Sequence, residues 1–291
     1  MIAQRLLGQR LHLQHGPIDV VLRAWGGAAE VEAAERAAAT RFATMLDELV
    51  AELPALRSAV DDGVVLNGAI ARRMLAGCLP FARRGAWLTA MAAVAGAVAD
   101  ELLAAMRAAA PGMRKAFVND GGDIALFVAP GEEITLGMVS DEAWGGGKAR
   151  RDTPFDGTLR ITAHDRVHGV ATSGRHGRSF SLGIADAVTV LAQDAATADA
   201  AATLIANAVN LDSPAVTRAP AADLDPDSDL GNRLVTVDVG PLTPQEASTA
   251  LDAGFALAED YRRAGLIRGA ALRLAGQVRV TGAPLLQDHA A

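Results

Sequence analysis

Apolar and polar positions alternate in the first part of the chain and then change to a helical spacing. Residues Arg10 to Trp25 alternate on both sides of His15-Gly16-Pro17, which predicts two strands joined by a tight turn. Residues Ala28 to Leu56 are dominated by Ala, Glu and Arg, with an apolar stripe that includes Phe42 and Met45. This spacing predicts a helix that buries one face.

Two further helices and a series of strands follow. Helical patterns cover Asn67 to Cys78 and Thr89 to Ala109, and Gly96 inside the second indicates close packing against a neighbouring backbone. From Arg114 onward, short β-branched or aromatic runs alternate with Gly and Asp residues. These runs predict strands, and their sequences are KAFV, IALFV, ITLGMV, LRITA and GVATS.

The C-terminal part of the chain returns to mixed elements. Residues 210–232 are rich in Pro, Asp and Ala, which predicts a loop excursion, and residues 282–291 are expected to form a flexible tail. The predicted elements around them are a buried strand at 185–192, a helix at 197–209, a strand at 234–239, a helix that starts at Thr243 and a hairpin at 270–280. The order of elements predicts an α+β fold, with mixed or antiparallel sheets packed against Ala-rich helices.

Composition narrows the class of protein. Of the 291 residues, 51% are hydrophobic and 21% are charged, which is typical of a globular chain rather than a disordered one. The formal net charge of −7 argues against a nucleic-acid partner, because nucleic-acid-binding proteins usually carry a basic balance. A single cysteine, Cys78, excludes an internal disulfide and a cysteine-based zinc site. We expect Cys78 to be an inert core thiol.

The sequence gives no indication of a membrane partner. Its first residues contain no apolar stretch long enough for a signal peptide. The most apolar run, Trp87 to Ala99, is followed at once by Asp100 and Glu101, and it is far too short to cross a bilayer. We therefore expect a cytoplasmic protein that acts on a small molecule.

Two oxygen-bearing side chains in the predicted helix at 197–209 suit a metal ion. Asp199 and Thr203 are four residues apart, so they lie on one face of the helix. A carboxylate and a hydroxyl offer two oxygens to one hard cation, which are the ligands that Mg²⁺ prefers. Asp in a first turn and Thr in a helix also occur without any metal, so the spacing alone leaves both interpretations open.

A polar turn separates two apolar strands at Asn119-Asp120-Gly121-Gly122-Asp123. Asp-Gly is typical of hairpin turns, where glycine accepts a positive φ. Three oxygen-bearing side chains are more than a turn requires, and adjacent glycines let a ligand approach backbone N–H groups. The residues are compatible with a plain hairpin and with a ligand-binding turn.

A second turn, Thr172-Ser173-Gly174, is followed by the cationic residues Arg175 and Arg178. Hydroxyl groups, a glycine and guanidinium groups suit phosphate oxygens, through backbone donors and bidentate contacts. A solvated basic loop explains the same residues. We therefore take Thr172 to Arg175 as candidates for phosphate binding.

Four short segments, in chain order, carry a family resemblance. Together they resemble the ApbE superfamily of FAD:protein FMN transferases, in one of its less characterised branches, and the likeness covers about Thr89 to Val209. The segments are Ala92–Asp100 (AAVAGAVAD), similar to the family helix a-i-a-K-G-y-a-v-D; Asn119–Ile124, similar to N-x-G-G-D-I; Ala171–Gly174, similar to a-T-S-G; and Ala198–Thr203 (ADAAAT), similar to A-D-a-l-a-T.

The resemblance implies a fold, a ligand and residue roles. It implies a single ApbE-like α+β domain over residues 1–291 that holds FAD or a related flavin together with Mg²⁺. Asp199 and Thr203 become the metal ligands, joined by a backbone carbonyl from near Ala92. The resemblance places the turn at 119–123 and the segment 172–175 at the nucleotide or flavin. In such a site the metal offsets the charge that builds on a diphosphate during its cleavage.

Two departures from the family pattern keep several functions open. Ala95 replaces the Lys that precedes Gly in the family, and the block H-I-i-D-P-x-T-G is absent from residues 175–192. Three hypotheses remain. The chain is a Mg²⁺-dependent flavin or nucleotide transferase, a non-catalytic ligand-binding module on the same scaffold, or an enzyme that acts on a non-flavin substrate such as a pterin of one-carbon metabolism.

Overall fold

The computed structural model describes residues 1–138, 157–282 and 286–288. The chain divides into two compact units. Unit 1 consists of Met1–Ile134, Ile161–Ala171 and Leu191–Ala200, and unit 2 of Thr135–Arg160, Thr172–Val190 and Ala201–Ala291. Each unit is described by itself below.

Strands and helices alternate in blocks along the chain. The strands are β1 (Ile2–Leu6), β2 (Arg10–His15), β3 (Ile18–Trp25), β4 (Lys115–Asp120), β5 (Asp123–Val128), β6 (Glu133–Met138), β7 (Gly157–Thr162), β8 (Gly169–Ser173), β9 (Ala187–Ala192), β10 (Val216–Pro220), β11 (Leu234–Val239), β12 (Ile267–Leu274), β13 (Gln277–Thr281) and β14 (Leu286–Asp288). The helices are α1 (Ala28–Ala51), α2 (Leu53–Leu56), α3 (Ala69–Ala82), α4 (Val94–Ala109), α5 (Ala195–Ala208), α6 (Ala221–Leu224) and α7 (Pro244–Arg263), with 3-10 turns at Ala90–Ala93 and Ala163–Asp165.

Unit 1 packs helices against one face of an antiparallel sheet. Its strands follow the order β1-β2-β3-β4-β5-β8, and each neighbouring pair is antiparallel. Helix α4 packs against α1, α3, β4 and β5. In β3 the buried side chains occupy every second position, from Ile18 to Ala24, because side chains of a strand alternate between two faces. Phe42 and Met45 on α1 are fully buried in the same core.

Unit 2 joins smaller sheets to one long helix. Its strands β9, β12 and β13 are neighbours in that order, β10 pairs with β11, and β7 lies between β14 and β6. Helix α7 packs against β12 and β13. Its start is fixed by a capping box, in which the Thr243 hydroxyl accepts the N–H of Glu246 and the Glu246 carboxylate accepts the N–H of Thr243.

The structure confirms the predicted α+β fold and corrects some of its details. The helical pattern at 28–56 is two helices, and the helix predicted at 67–78 begins at Ala69 and ends at Ala82. Residues 210–232 contain β10 and α6 rather than a loop alone, because Val216–Pro220 pairs with Leu234–Val239. Cys78 is a fully buried free thiol, as predicted. Among the described helices, none has the length and apolar character of a membrane span.

Candidate metal and nucleotide site

The polar turn predicted at 119–123 is a two-residue hairpin turn between β4 and β5. Gly121 and Gly122 both have positive φ, 66° and 116°, which only glycine adopts without strain. The side-chain oxygen of Asn119 accepts the N–H of Gly122 at 2.9 Å. Asp120 and Asp123 pair directly across the hairpin. The turn therefore sets two carboxylates side by side, one buried and one partly exposed.

Asp199, in α5, caps the first turn of α4. One carboxylate oxygen accepts the N–H of Gly96 at 3.0 Å, and the N–H of Ala95 also donates to this carboxylate. The first N–H groups of a helix have no partner within the helix, so a carboxylate satisfies and stabilises them. Asp199 is partly exposed.

The surroundings of Asp199 are unfavourable for its negative charge. Desolvation by the protein raises the pKa of this carboxyl well above its usual value, and the negative charges of Asp123 and Asp120 raise it further. The N–H groups of Gly96 and Ala95 act in the opposite direction but do not compensate. The charges of Asp123 and Asp120 therefore act on the carboxyl of Asp199 at the N-terminus of α4. We call Asp199, Asp120 and Asp123 the carboxylate cluster.

Asp100, on α4, caps α5 in return. Its two carboxylate oxygens accept the N–H groups of Ala195 at 3.1 Å and Ala196 at 2.9 Å. Burial raises the pKa of Asp100 to about 7, with a further contribution from the charge of Asp194, while the two N–H groups and Arg73 lower it. Helices α4 and α5 therefore cap each other, each through one carboxylate.

Glycines bring the backbones of unit 1 together at the start of α5. A Cβ atom at Gly96 would lie 2.2 Å from the carbonyl oxygen of Ala195. Cβ atoms at Gly77 and Gly169 would lie 2.8 Å and 2.0 Å from the backbone of residues 194–196. No larger residue fits at these distances without a shift of the backbone. The predicted close packing of Gly96 against a neighbouring backbone is confirmed.

The other two predicted metal ligands lie on different segments of the chain. Ala92 belongs to the 3-10 turn that leads into α4, where the side chain of Thr89 accepts the N–H of Met91. Thr203 follows Asp199 by one turn of α5 and is partly exposed. The division of the chain falls between them, so Asp199 belongs to unit 1 and Thr203 to unit 2.

The predicted phosphate-binding segment at 172–175 lies in unit 2. The hydroxyl of Thr172 is 2.9 Å from that of Thr189. A Cβ atom at Gly174 would lie 2.4 Å from the carbonyl oxygen of Asp186, so Gly174 is needed for this approach. Arg175 forms an ion pair with Asp186, with its Nε 2.9 Å from Oδ1. Ser173 is partly exposed.

Sequence reasoning missed the partners of two predicted site residues. The other oxygen of Asp186 accepts the N–H of Ala275 at 2.7 Å, so Arg175 is held in an ion pair that also anchors the β12–β13 turn. The sequence indicates Asp100 only as the end of a motif, although an acidic residue one helical turn after Gly96 lies on the same helix face.

Within the described part of the chain, no three His, Cys, Asp or Glu side chains are grouped as a metal site.

Curated relatives match part of the chain. A UPF0280 protein of Methanopyrus kandleri is 37% identical over 157 residues, which are 53% of this chain and 55% of that protein. A UPF0280 protein of Methanocella arvoryzae is 37% identical over 131 residues, which are 44% of this chain and 46% of that protein. The chain spans about half the length of the curated relatives it matches.

Solved structures and a family model extend over more of the chain. The apo flavinyl transferase ApbE of Pseudomonas stutzeri is similar with a TM-score of 0.46 and 13% identity, over 96% of this chain and 92% of that chain. The ApbE protein of Thermotoga maritima is similar with a TM-score of 0.41 and 13% identity, over 89% of this chain and 77% of that chain. A model of the family described as AbpE bacteria matches residues 3–280. The chain belongs to this family.

Proposed function

We propose that the chain binds a flavin nucleotide such as FAD together with Mg²⁺, and that Asp199 is the carboxylate that holds the metal. The carboxylate cluster is the observation that carries the proposal, because Asp199 lies at the N-terminus of α4 and is close enough to Asp123 and Asp120 for their charges to raise its pKa. Asp120 and Asp123 are directly opposite each other in the hairpin, so their carboxylates are on the same face of the sheet. The choice of ligand follows the resemblance of the four sequence segments to the FAD:protein FMN transferases.

The donor atoms fit Mg²⁺ in kind. This cation takes oxygen ligands, and proteins commonly bind it through one or two carboxylates together with substrate phosphates. Asp199 and Asp123 are partly exposed, so a ligand can reach them from solvent. Thr203 and the backbone carbonyl of Ala92 are the further proposed ligands. The proposed ligands are one carboxylate, one hydroxyl and one backbone carbonyl, so the proposal does not require three acidic side chains around one metal.

The turn at 119–123 is the proposed contact to the nucleotide. Its conformation is fixed by the hydrogen bond from Gly122 to Asn119, and a Cβ atom at Gly122 would meet nothing within 4 Å. Space at a glycine lets a phosphate or ribose approach the backbone N–H groups. When bound, Mg²⁺ would neutralise negative charge on the diphosphate. The protein supplies the orientation of the nucleotide through Asn119 and Asp123.

We also propose Thr172, Ser173, Gly174 and Arg175 as a phosphate-binding segment of unit 2. Arg175 would share its guanidinium between Asp186, with which it is paired, and a phosphate oxygen. Guanidinium groups present several N–H donors in a fixed fork, so one side can hold a carboxylate while another holds a phosphate.

Binding without group transfer is the second candidate function. Residues 175–192 lack the H-I-i-D-P-x-T-G block of the family pattern, and within them Asp186 is engaged by Arg175 and by the N–H of Ala275. Asp186 therefore serves the structure of unit 2. A protein that binds FAD with Mg²⁺ but does not turn it over, with or without an acceptor protein, would have this function.

The proposal is tested by isothermal titration calorimetry of FAD into the purified protein, in Mg²⁺ and in EDTA. We expect binding that requires Mg²⁺ and is weakened roughly 10- to 100-fold or more in Asp199→Asn. The matched control is Asp47→Asn, which removes an exposed carboxylate from α1 of the same unit. This control should bind FAD as the wild type does.

Two results would overturn the proposal. One is FAD binding of equal affinity in Mg²⁺ and EDTA, and the other is unchanged Mg²⁺-dependent binding in Asp199→Asn. If FAD does not bind at all, the flavin ligand is wrong, and titration with phosphorylated pterins becomes the test of the third hypothesis.

A further inference from the structure

Two carboxylates join the same faces of α4 and α5. Asp199 of α5 accepts the N–H of Gly96, and Asp100 of α4 accepts the N–H groups at the start of α5. Gly96 and Asp100 are four residues apart on α4, as are Ala195 and Asp199 on α5. Residues at this spacing lie on one helix face. The two hydrogen-bonded contacts are therefore neighbours across one helix–helix interface.

The backbones of α4 and α5 are in close contact at this interface. The position of a Cβ atom at Gly96 is only 2.2 Å from the carbonyl oxygen of Ala195, so the backbone of α4 lies directly against the first residue of α5. A shift of the first turn of α5 would therefore also move Asp199, one turn further along the rigid helix, relative to the N–H of Gly96.

We infer that Asp100 is a positioning residue for the carboxylate cluster. It holds the first turn of α5 against α4, so that the Asp199 carboxylate stays beside Asp120 and Asp123. Groups that orient a metal ligand without touching the metal commonly change metal affinity when they are replaced. The effect of Asp100 on metal binding rests on the proposed function, whereas its effect on the position of Asp199 does not.

Asp194 provides a matched control at the same helix terminus. Its carboxylate accepts the N–H of Thr197 at 2.7 Å, so it caps α5 from within its own segment. Among the described residues, this carboxylate makes no hydrogen bond to α4. Asp194→Asn keeps an oxygen that can accept the single N–H of Thr197. Asp100→Asn keeps only one oxygen for the two N–H groups of Ala195 and Ala196, so it weakens the connection between α4 and α5. A difference between the two variants separates this connection from the loss of a negative charge at the same helix terminus.

The position of Asp199 is measured by hydrogen exchange of the Gly96 amide, followed by NMR in the metal-free protein. Exchange of a hydrogen-bonded amide requires local opening, and a lost charge-assisted bond corresponds to about tenfold or more in that equilibrium. We expect the Gly96 amide to exchange about tenfold faster in Asp100→Asn and at nearly the wild-type rate in Asp194→Asn. An unchanged rate in Asp100→Asn, or an equal acceleration in both variants, would overturn the inference.

Metal affinity is measured with Mn²⁺ by electron paramagnetic resonance of the free ion. We expect Asp100→Asn to bind Mn²⁺ roughly 10- to 100-fold more weakly than the wild type, and Asp194→Asn to bind it nearly as well. Where Asp100→Asn does not fold, Asp100→Glu keeps the charge but displaces the carboxylate, and the same weakening is expected. A wild type that binds no Mn²⁺ would defeat the proposed function, and the Gly96 exchange rate alone would then decide the role of Asp100.

Discussion

At the scale of the residue, Asp199 affects stability in two opposite ways, through a hydrogen bond and through its charge. Its hydrogen bond to the N–H of Gly96 stabilises the first turn of α4. Its charge is unfavourable, because it is desolvated and lies near the carboxylates of Asp123 and Asp120. Charged groups held in unfavourable surroundings are typical of functional sites, where a ligand supplies the missing compensation. The balance of these two effects can be measured from the stability of a variant that lacks the charge.

We expect Asp199→Asn to stabilise the metal-free protein at pH 8. The asparagine carbonyl can still accept the N–H of Gly96, while the repulsion from Asp123 and Asp120 is removed, so the free energy of unfolding should rise by about 1 kcal/mol. As the pH is lowered the gain should shrink, because the raised pKa of Asp199 favours its neutral form. The measurement is urea denaturation in EDTA at pH 8 and at pH 5.

The exposed control, Asp47→Asn, should change the free energy of unfolding by less than about 0.5 kcal/mol at either pH. If Asp199→Asn is less stable than the wild type at pH 8, the hydrogen bond of Asp199 to Gly96 stabilises the protein more than the nearby negative charges destabilise it. This result would contradict the interpretation that the charge of Asp199 is unfavourable.

Asp100 makes stability depend on pH in a known direction. Its pKa is raised to about 7 in the folded state, mainly by burial, so the folded state binds its proton more tightly than the unfolded state does. A group of this kind contributes stability below its unfolded pKa and loses it as the pH rises through the folded value. Between pH 5 and pH 8 the loss should be roughly 3 kcal/mol.

Urea denaturation of the metal-free protein across this pH range checks that prediction. Asp199 acts in the same direction, so Asp100→Asn should reduce the fall in stability but not remove it. An equally steep fall in Asp100→Asn and in the wild type would show that Asp100 does not titrate in this window.

At the scale of the element, the N-terminus of α5 is held by glycine contacts. Gly96→Ala adds a methyl group where the carbonyl oxygen of Ala195 is only 2.2 Å away. Overpacking of this kind costs about 1–3 kcal/mol and outweighs the better helix propensity of alanine. The control is Gly27→Ala at the start of α1, where a Cβ atom meets nothing within 4 Å. Gly27→Ala should lower the free energy of unfolding by less than about 1 kcal/mol. Equal decreases for Gly27→Ala and Gly96→Ala in urea denaturation would contradict the close packing at Gly96.

Local signals allowed most elements to be predicted. The capping box at Thr243 and Glu246 and the glycine pair at 121–122 act within a few residues, so they are visible in the sequence. The cap from Asp100 to the N–H of Ala195 joins residues 95 positions apart, and no local pattern predicts such a contact. The same distance in sequence explains why the ion pair of Arg175 and the turn at Ala275 were missed together.

At the scale of the whole molecule, the family and the fold class are established and the ligand is proposed. The family model covers residues 3–280, and the α+β architecture follows from the same strand and helix patterns that the sequence shows. The carboxylate cluster lies entirely within unit 1. Fold alone does not give function, so the account depends on the chemistry of this cluster.

That chemistry predicts that metal and nucleotide bind cooperatively. If Asp199 holds Mg²⁺ and the ion neutralises the charge of the FAD diphosphate, each ligand must increase the affinity for the other by the same factor. A cation held by protein and phosphate oxygens together should bind far more weakly when either partner is absent.

The most direct test is a titration of Mn²⁺ into the wild-type protein, with and without saturating FAD, in which the free ion is followed by electron paramagnetic resonance. The account predicts that FAD tightens Mn²⁺ binding about tenfold or more, and that Asp199→Asn abolishes this increase. Mn²⁺ binding that is unaffected by FAD, or equally tight in Asp199→Asn, would contradict it.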